Sequence, residues 1–232
     1  MNRCIYVGVV LMLASSCTND HEAPQPEPIE VSQSFSVTYM LPDSTCTSIG
    51  TFGGGERGVL PSGYYALCNG GNMGCYAYSS IPSTPSTGPS YYYRHISSGP
   101  PQRTFTLRRP DGTEVVNVVN PTVADIHMLN IPTSVSRSTG INVRFSAGPL
   151  NSGERYTCYI FQDAGHWAVT DSLVGDSMFV FTPTDLMDLM NGNAQLSVSH
   201  VGRSLPLDQN DGATNGTKLY SSRYEVQVTV GN

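Results

Sequence analysis

The stretch Phe35-Ser36-Val37-Thr38-Tyr39-Met40-Leu41 alternates large apolar residues (Phe35, Val37, Tyr39, Leu41) with polar or smaller ones. Successive side chains on a strand point to opposite faces, so a period of two predicts a half-buried β-strand. The same rhythm recurs outward from it. Tyr64 to Cys68, Cys75 to Tyr78, Tyr91 to Ile96, Thr104 to Arg108 and Glu114 to Val119 read as strands. The last two flank Arg109-Pro110-Asp111-Gly112-Thr113, where Pro sets the first central angle of a turn and Gly accepts a positive φ, so they form a hairpin. Gly53-Gly54-Gly55 and Ser79 to Pro89 are too rich in breakers for strands and read as loops.

A short connector, Leu129 to Val135 with Pro132 inside it, separates this series from a second. Ile141 to Phe145, Tyr156 to Phe161, His166 to Val169, Met178 to Phe181, Leu196 to Val201 and Tyr224 to Val230 are its strands. Their number and spacing suit a small β-sandwich. One helical turn is expected within 183–190: Thr182 caps it, Pro183 fits the first position, Asp185 lies three residues after the cap and Gly192 ends the run. The order strand, capped turn, strand from Met178 to Val201 resembles the crossover in bacterial immunoglobulin-like modules, a resemblance covering roughly 136–232. The expected fold is therefore all-β, with two immunoglobulin-like β-sandwich modules in tandem, 33–131 and 136–232, divided near Pro132.

The N-terminus reads as an address. Arg3 precedes an apolar run from Cys4 to Ala14, the length of a signal-peptide core and shorter than the about 20 residues a spanning helix needs. Leu13-Ala14-Ser15-Ser16-Cys17 resembles a bacterial lipobox, with the Leu four residues before the cysteine instead of the commoner three. That resemblance implies cleavage after residue 16, a lipid on Cys17, and an outer-membrane or surface lipoprotein held to the membrane by its lipid. Residues 17–32, with Pro24, Pro26 and Pro28 and few large apolar groups, are expected to form a flexible tether.

Charged residues make up 13% of the chain and lysine occurs once, which fits an extracellular β protein better than a cytosolic helical one. The net charge of −6 becomes −7 when Arg3 leaves with the leader, and no basic patch exists, so nucleic acid is not an expected partner. Once Cys4 and Cys17 are accounted for, Cys46, Cys68, Cys75 and Cys158 remain. In an oxidising compartment the first three are disulfide candidates: Cys68 with Cys75 across a turn-rich hairpin, or Cys46 with either. They lack the paired short spacings of a zinc site, and neither a metal nor a cofactor is expected.

No catalytic residue is assigned. The serines, histidines and carboxylates show no nucleophile elbow and no ligand spacing, leaving a hydrolase only as a reading in which groups converge in the fold. Asp208-Gln209-Asn210-Asp211-Gly212 superficially resembles a calcium loop but reads better as an Asx-rich turn. Trp167, the only tryptophan, is expected in the core of the second module, with an exposed platform as the alternative. The candidate ligand-binding residues are Tyr64, Tyr65, Tyr91, Tyr92 and Tyr93, set among Gly, Ser and Pro as in recognition surfaces. The expected function is thus a non-enzymatic, lipid-anchored binding or spacer module, whose extracellular partner would be a saccharide or a protein.

Overall fold

A computed structural model describes residues 30–53, 60–76, 90–96, 99–146, 148–163, 166–172, 177–212 and 216–232. Alternating burial generates its strands. In the first half these are β1 (Ser32–Leu41), β2 (Thr45–Gly53), β3 (Tyr65–Cys68), β4 (Gly71–Asn72), β5 (Gly74–Tyr76), β6 (Ser90–Ile96), β7 (Arg103–Arg108) and β8 (Glu114–Val119). The second half supplies β9 (Ser134–Ser136), β10 (Ile141–Arg144), β11 (Arg155–Asp163), β12 (His166–Ser172), β13 (Met178–Phe181), β14 (Gly192–Val201), β15 (Leu205–Pro206) and β16 (Thr217–Gly231).

One ten-stranded sheet runs through the protein in the order β12-β11-β14-β16-β1-β2-β6-β5, with β9 and β15 also paired to β16. Two smaller sheets, β4-β3-β7-β8 and β10-β13, accompany it. The chain is all-β and built as two-layer sandwiches. In the second half β10 pairs β13 while β12, β11, β14 and β16 make the facing layer, and β9 lies parallel to β16. That is the strand arrangement of an immunoglobulin-type sandwich.

Two cores result. The first gathers Phe35, Val37, Tyr39, Phe105, Leu107 and Tyr220, with the Phe35 and Phe105 rings stacked at a centroid distance of 4.4 Å. The second gathers Phe145, Tyr156, Phe179, Phe181, Leu186 and Leu196, with Phe145 and Phe179 stacked at 4.7 Å. Each core draws on both sides of Pro132: Ile126 and Met128 lie in the second, and a residue of β16 lies in the first. The first part of β16 pairs in parallel with β1 from Phe35↔Lys218 to Leu41↔Tyr224, and Tyr220 fills the first core. The last part of β16 closes the second core with Val228 and Val230. One uninterrupted strand serves both sandwiches, and the connector around Pro132 leads into β9.

Three further expectations change. Residues 183–190 form no helix: successive turns close through i to i+3 bonds, among them Leu186 N–H to Pro183 O at 3.3 Å and Leu189 N–H to Leu186 O at 3.1 Å. The cap forms nonetheless, because Asp185 Oδ2 accepts both the N–H and the hydroxyl of Thr182 at 2.7 Å. Leu186 and Leu189, three apart, both plug the core, a spacing that tight turns satisfy without a helix. The tether also ends earlier than residue 32, since Val31 is buried in the first core and Ser32 begins β1. Finally, the described cysteines, Cys46, Cys68, Cys75 and Cys158, are free thiols. Cys68 points into the first core while exposed Cys75 lies on β5 in the other sheet, so the two do not face each other across a hairpin. Cys46 and Cys68 lie beside Ser48 and Arg103 from opposite layers; burial pushes the Cys68 thiol up to about 11.

Because β16 couples the cores, damage to one should be felt in the other. Phe105→Ala removes a ring from the first core and is expected to cost about 3–5 kcal/mol. In denaturant titrations, the emission of Trp167, which belongs to the second half, should shift its midpoint together with far-UV circular dichroism. A Trp167 transition left at the wild-type midpoint would mean that the halves unfold separately.

Candidate binding face

The tyrosines of the first half do not form one platform among the described side chains. Tyr64 is buried in the first core, whereas Tyr65, next to it, is 56% exposed on the small sheet. Tyr93 is half-buried, stacked on His95 at 6.3 Å and lying against Gly71 at the start of β4. Tyr91 and Tyr92 stand on β6 opposite Gly50 and Ile49 of β2, a different layer from Tyr65, and their side chains lie outside the described ones. Adjacent residues on a strand take opposite faces, which is what separates Tyr64 from Tyr65. Cys17 and most of the tether also lie outside the described residues.

The aromatic surface that does form is in the second half. On β11 the side chains of Tyr156, Cys158 and Ile160 point inward, so Thr157, Tyr159 and Phe161 point outward. On β12, buried Ala168 fixes the direction, and Trp167 and Val169 face out beside them. Trp167 is therefore not a core residue: it is 39% exposed, directly opposite Phe161 (36% exposed), and the next rung pairs Val169 with Tyr159. The core position that a tryptophan would have taken is filled by Phe145, Tyr156 and Phe179.

Polar groups on β14 and β16 extend this face. Ser197 pairs with Glu225 and Ser199 with Arg223 in the ladder. The Arg223 guanidinium lies over the Tyr159 ring at 5.2 Å, donates to Ser199 Oγ at 3.2 Å and reaches Glu225 Oε1 at 3.4 Å. Gln195 donates to the other Glu225 oxygen at 2.7 Å. Burial raises the Tyr159 phenol despite the neighbouring guanidinium, so it stays a neutral donor at physiological pH. At the β11–β12 bend, His166 Nδ1 and Asp163 Oδ1 are 2.7 Å apart. Below them the Gln162 amide holds Met190 by both backbone groups, each at 2.8 Å, tying the 183–190 turns to the edge of the face.

The other polar clusters are structural. Asp208 Oδ1 pairs with Lys218, and its Oδ2 accepts the Val118 N–H at 2.8 Å. Asp211 pairs with Arg109 and accepts the Val31 N–H at 3.2 Å. Asn117 Oδ1 accepts the N–H groups of Asp208 and Gln209 at 2.8 and 3.1 Å. This segment is thus pinned along β8, its carboxylates already spent, and no group of three metal-ligating side chains occurs among the described residues. On the inner face of the large sheet His200 stands opposite Ser222 in the ladder and 3.4 Å from Glu154. Ser222 Oγ accepts the Ile126 N–H at 3.1 Å, and both residues are buried, so the cluster ties the segment ahead of the connector to the sheet.

No protein family matches this chain, and no curated protein matches it. Among solved structures, one titled for host cell surface retention of a 1.5-MDa bacterial ice-binding adhesin is 16% identical, covers 90% of this chain and 67% of that one, and has a TM-score of 0.26. The fibronectin(III)-like modules of Clostridium thermocellum CbhA are 10% identical, covering 86% and 94%, with a TM-score of 0.24. Superpositions at this level do not assign a function.

The Asp208 staple gives a pH signature. Its hydrogen bond to Lys218, with that of the Val118 N–H, lowers the carboxyl below its ordinary value. A depressed carboxylate contributes stability above its unfolded pKa of about 3.9 and loses it as pH falls through the lower folded value. Because the side chain is half exposed, the effect is small. Asp208→Asn should reduce stability near neutrality and flatten the loss below about pH 4 in denaturant titrations. Parallel acid profiles for the two proteins would contradict this role.

Proposed function

We propose that this chain is a non-enzymatic, lipid-anchored protein of the cell envelope that acts as a binding module. The outer face of β12, β11, β14 and β16 is its contact surface. The observation that carries this reading is the exposed pair Phe161–Trp167, continuing into Val169 and Tyr159 beside an ordered polar network. Exposed apolar surface rimmed by polar groups marks interaction sites more often than isolated surface residues do. The lipobox-like Leu13 to Cys17 and the Pro-rich segment supply an anchor and a tether that ends at Val31, where the fold begins. No helix among the described residues is long and apolar enough to cross a membrane, and in this reading the lipid supplies the attachment. Partners lie outside the cell, saccharide or protein in class, and nucleic acid is disfavoured by the negative charge.

Intact-mass analysis of the membrane fraction should find a chain beginning at Cys17 and carrying a diacylglycerol. Cys17→Ser should abolish both. A soluble, unlipidated product of the unaltered chain would remove the anchor from the account. Independently, the purified protein should be retained on fixed cell layers, and the doubly substituted Phe161→Ala/Trp167→Ala protein should wash off while keeping its wild-type dichroism. Equal retention of both proteins would move the contact surface elsewhere, and retention of neither would leave the module a spacer.

A further inference from the structure

We infer that the Phe161–Trp167 face takes a neutral saccharide, with one pyranose ring seated on the two side chains. This inference rests on the binding reading above and specifies its ligand. Directly opposed side chains in an antiparallel pair have Cβ atoms about 4.5–5.5 Å apart, so the exposed Phe161 and Trp167 side chains both rise from one rung of the outer face. The next rung, Val169–Tyr159, follows about 6.7 Å further along the strands. A saccharide offers a surface of the matching kind: C–H bonds with partial positive charge on its faces, which suit the negative faces of aromatic rings, and hydroxyls around its rim.

The rim groups are the right ones for hydroxyls. Gln195 stands beside Phe161 on the same rung, two strands from Trp167, and donates to Glu225 on β16, while Asp163 with His166 offers polar groups at the bend. Arg223 is paired with Glu225, and His166 shares a hydrogen bond with Asp163. Around the two rings the face therefore offers hydrogen-bonding capacity, and the exposed Arg155, on the same side of β11, stands six residues along the strand from Phe161. An anionic ligand would find no free cation among the groups around the rings, and it would approach a chain whose net charge is −6. A protein partner is less well matched, because a stable interface needs about 20–30 residues a side and the exposed apolar group here is Phe161, Trp167 and Val169.

The single tryptophan makes the test direct, since Trp167 emission reports only on this face. Cellohexaose, laminarihexaose, mannohexaose and maltohexaose, titrated to millimolar levels, serve as neutral probes, and hexagalacturonic acid serves as the anionic one. The inference predicts a saturable change in Trp167 emission with at least one neutral hexasaccharide. The change should be weakened about tenfold in Phe161→Ala, a substitution at an exposed position, and unaltered in Tyr65→Ala. A response to the anionic probe alone, or to none of the five, overturns the saccharide assignment. If retention on cells still depends on Phe161 and Trp167 in that event, the binding face stands and its ligand is of another class. If that retention is absent too, both readings fall.

Discussion

The in-register parallel pairing of β1 with β16 is the contact on which the rest of this structure depends. Seven successive residue pairs, Phe35↔Lys218 to Leu41↔Tyr224, join the first strand of the fold to the last. From Ser221 onward β16 is also committed to β14, which it pairs from Val201↔Ser221 to Gly192↔Val230, so the two pairings overlap over Ser221–Tyr224. Backbone hydrogen bonds on both edges of β16 leave it no freedom to shift by one residue without turning Tyr220 and Val228 out of their cores. The register of one strand thus fixes the filling of two sandwiches. Contacts this distant in sequence form only after large loops close, which makes the join slow to assemble and cooperative once made.

The features around the join are consistent with that demand. Gly202 accepts close approach: a Cβ there would come within 2.7 Å of Tyr220 O and 2.8 Å of Thr122 Oγ1. Ser222 and His200, polar residues on an inner face, exchange hydrophobic burial for bonds that fasten the Ile126 segment and the Glu154 loop. Asp211 ties Val31, the start of the fold, to the hairpin at Arg109. These groups fasten chain segments that have few apolar side chains of their own.

The sequence was legible where burial is one-sided. β1, β7, β8, β10, β11 and β13 announce themselves by alternation, and the Pro110-Asp111-Gly112 turn sits where its chemistry placed it, with Arg109 and Thr113 closing it and Gly112 at φ 83°. β2 was illegible because its inward positions ahead of Phe52 are the small residues Cys46, Ser48 and Gly50, the last lying against the Phe35 and Phe52 rings. The first half of β16 hid for a related reason, since Lys218 and Ser222 face inward and satisfy themselves by polar bonds. Trp167 was misplaced by composition: a lone tryptophan in a sandwich suggests a core anchor, yet the phase set by Tyr156, Cys158 and Ile160 on β11, with Phe161 opposite Trp167 in the pairing, puts it outside. The outer face of the second half joins residues 159–163 and 166–169 to 195 and 223–225, an adjacency that only the sheet order creates.

Residue-resolved native-state hydrogen exchange along Thr217–Gly231 examines the join itself. If β16 is one structural element serving both cores, the buried amides of its first part, around Tyr220, and of its last part, around Val228, should exchange only through the same global opening. Their protection free energies should be equal and should fall together as denaturant is added. Two distinct protection levels, with one part of the strand opening while the other stays closed, would contradict the account and restore two independent modules.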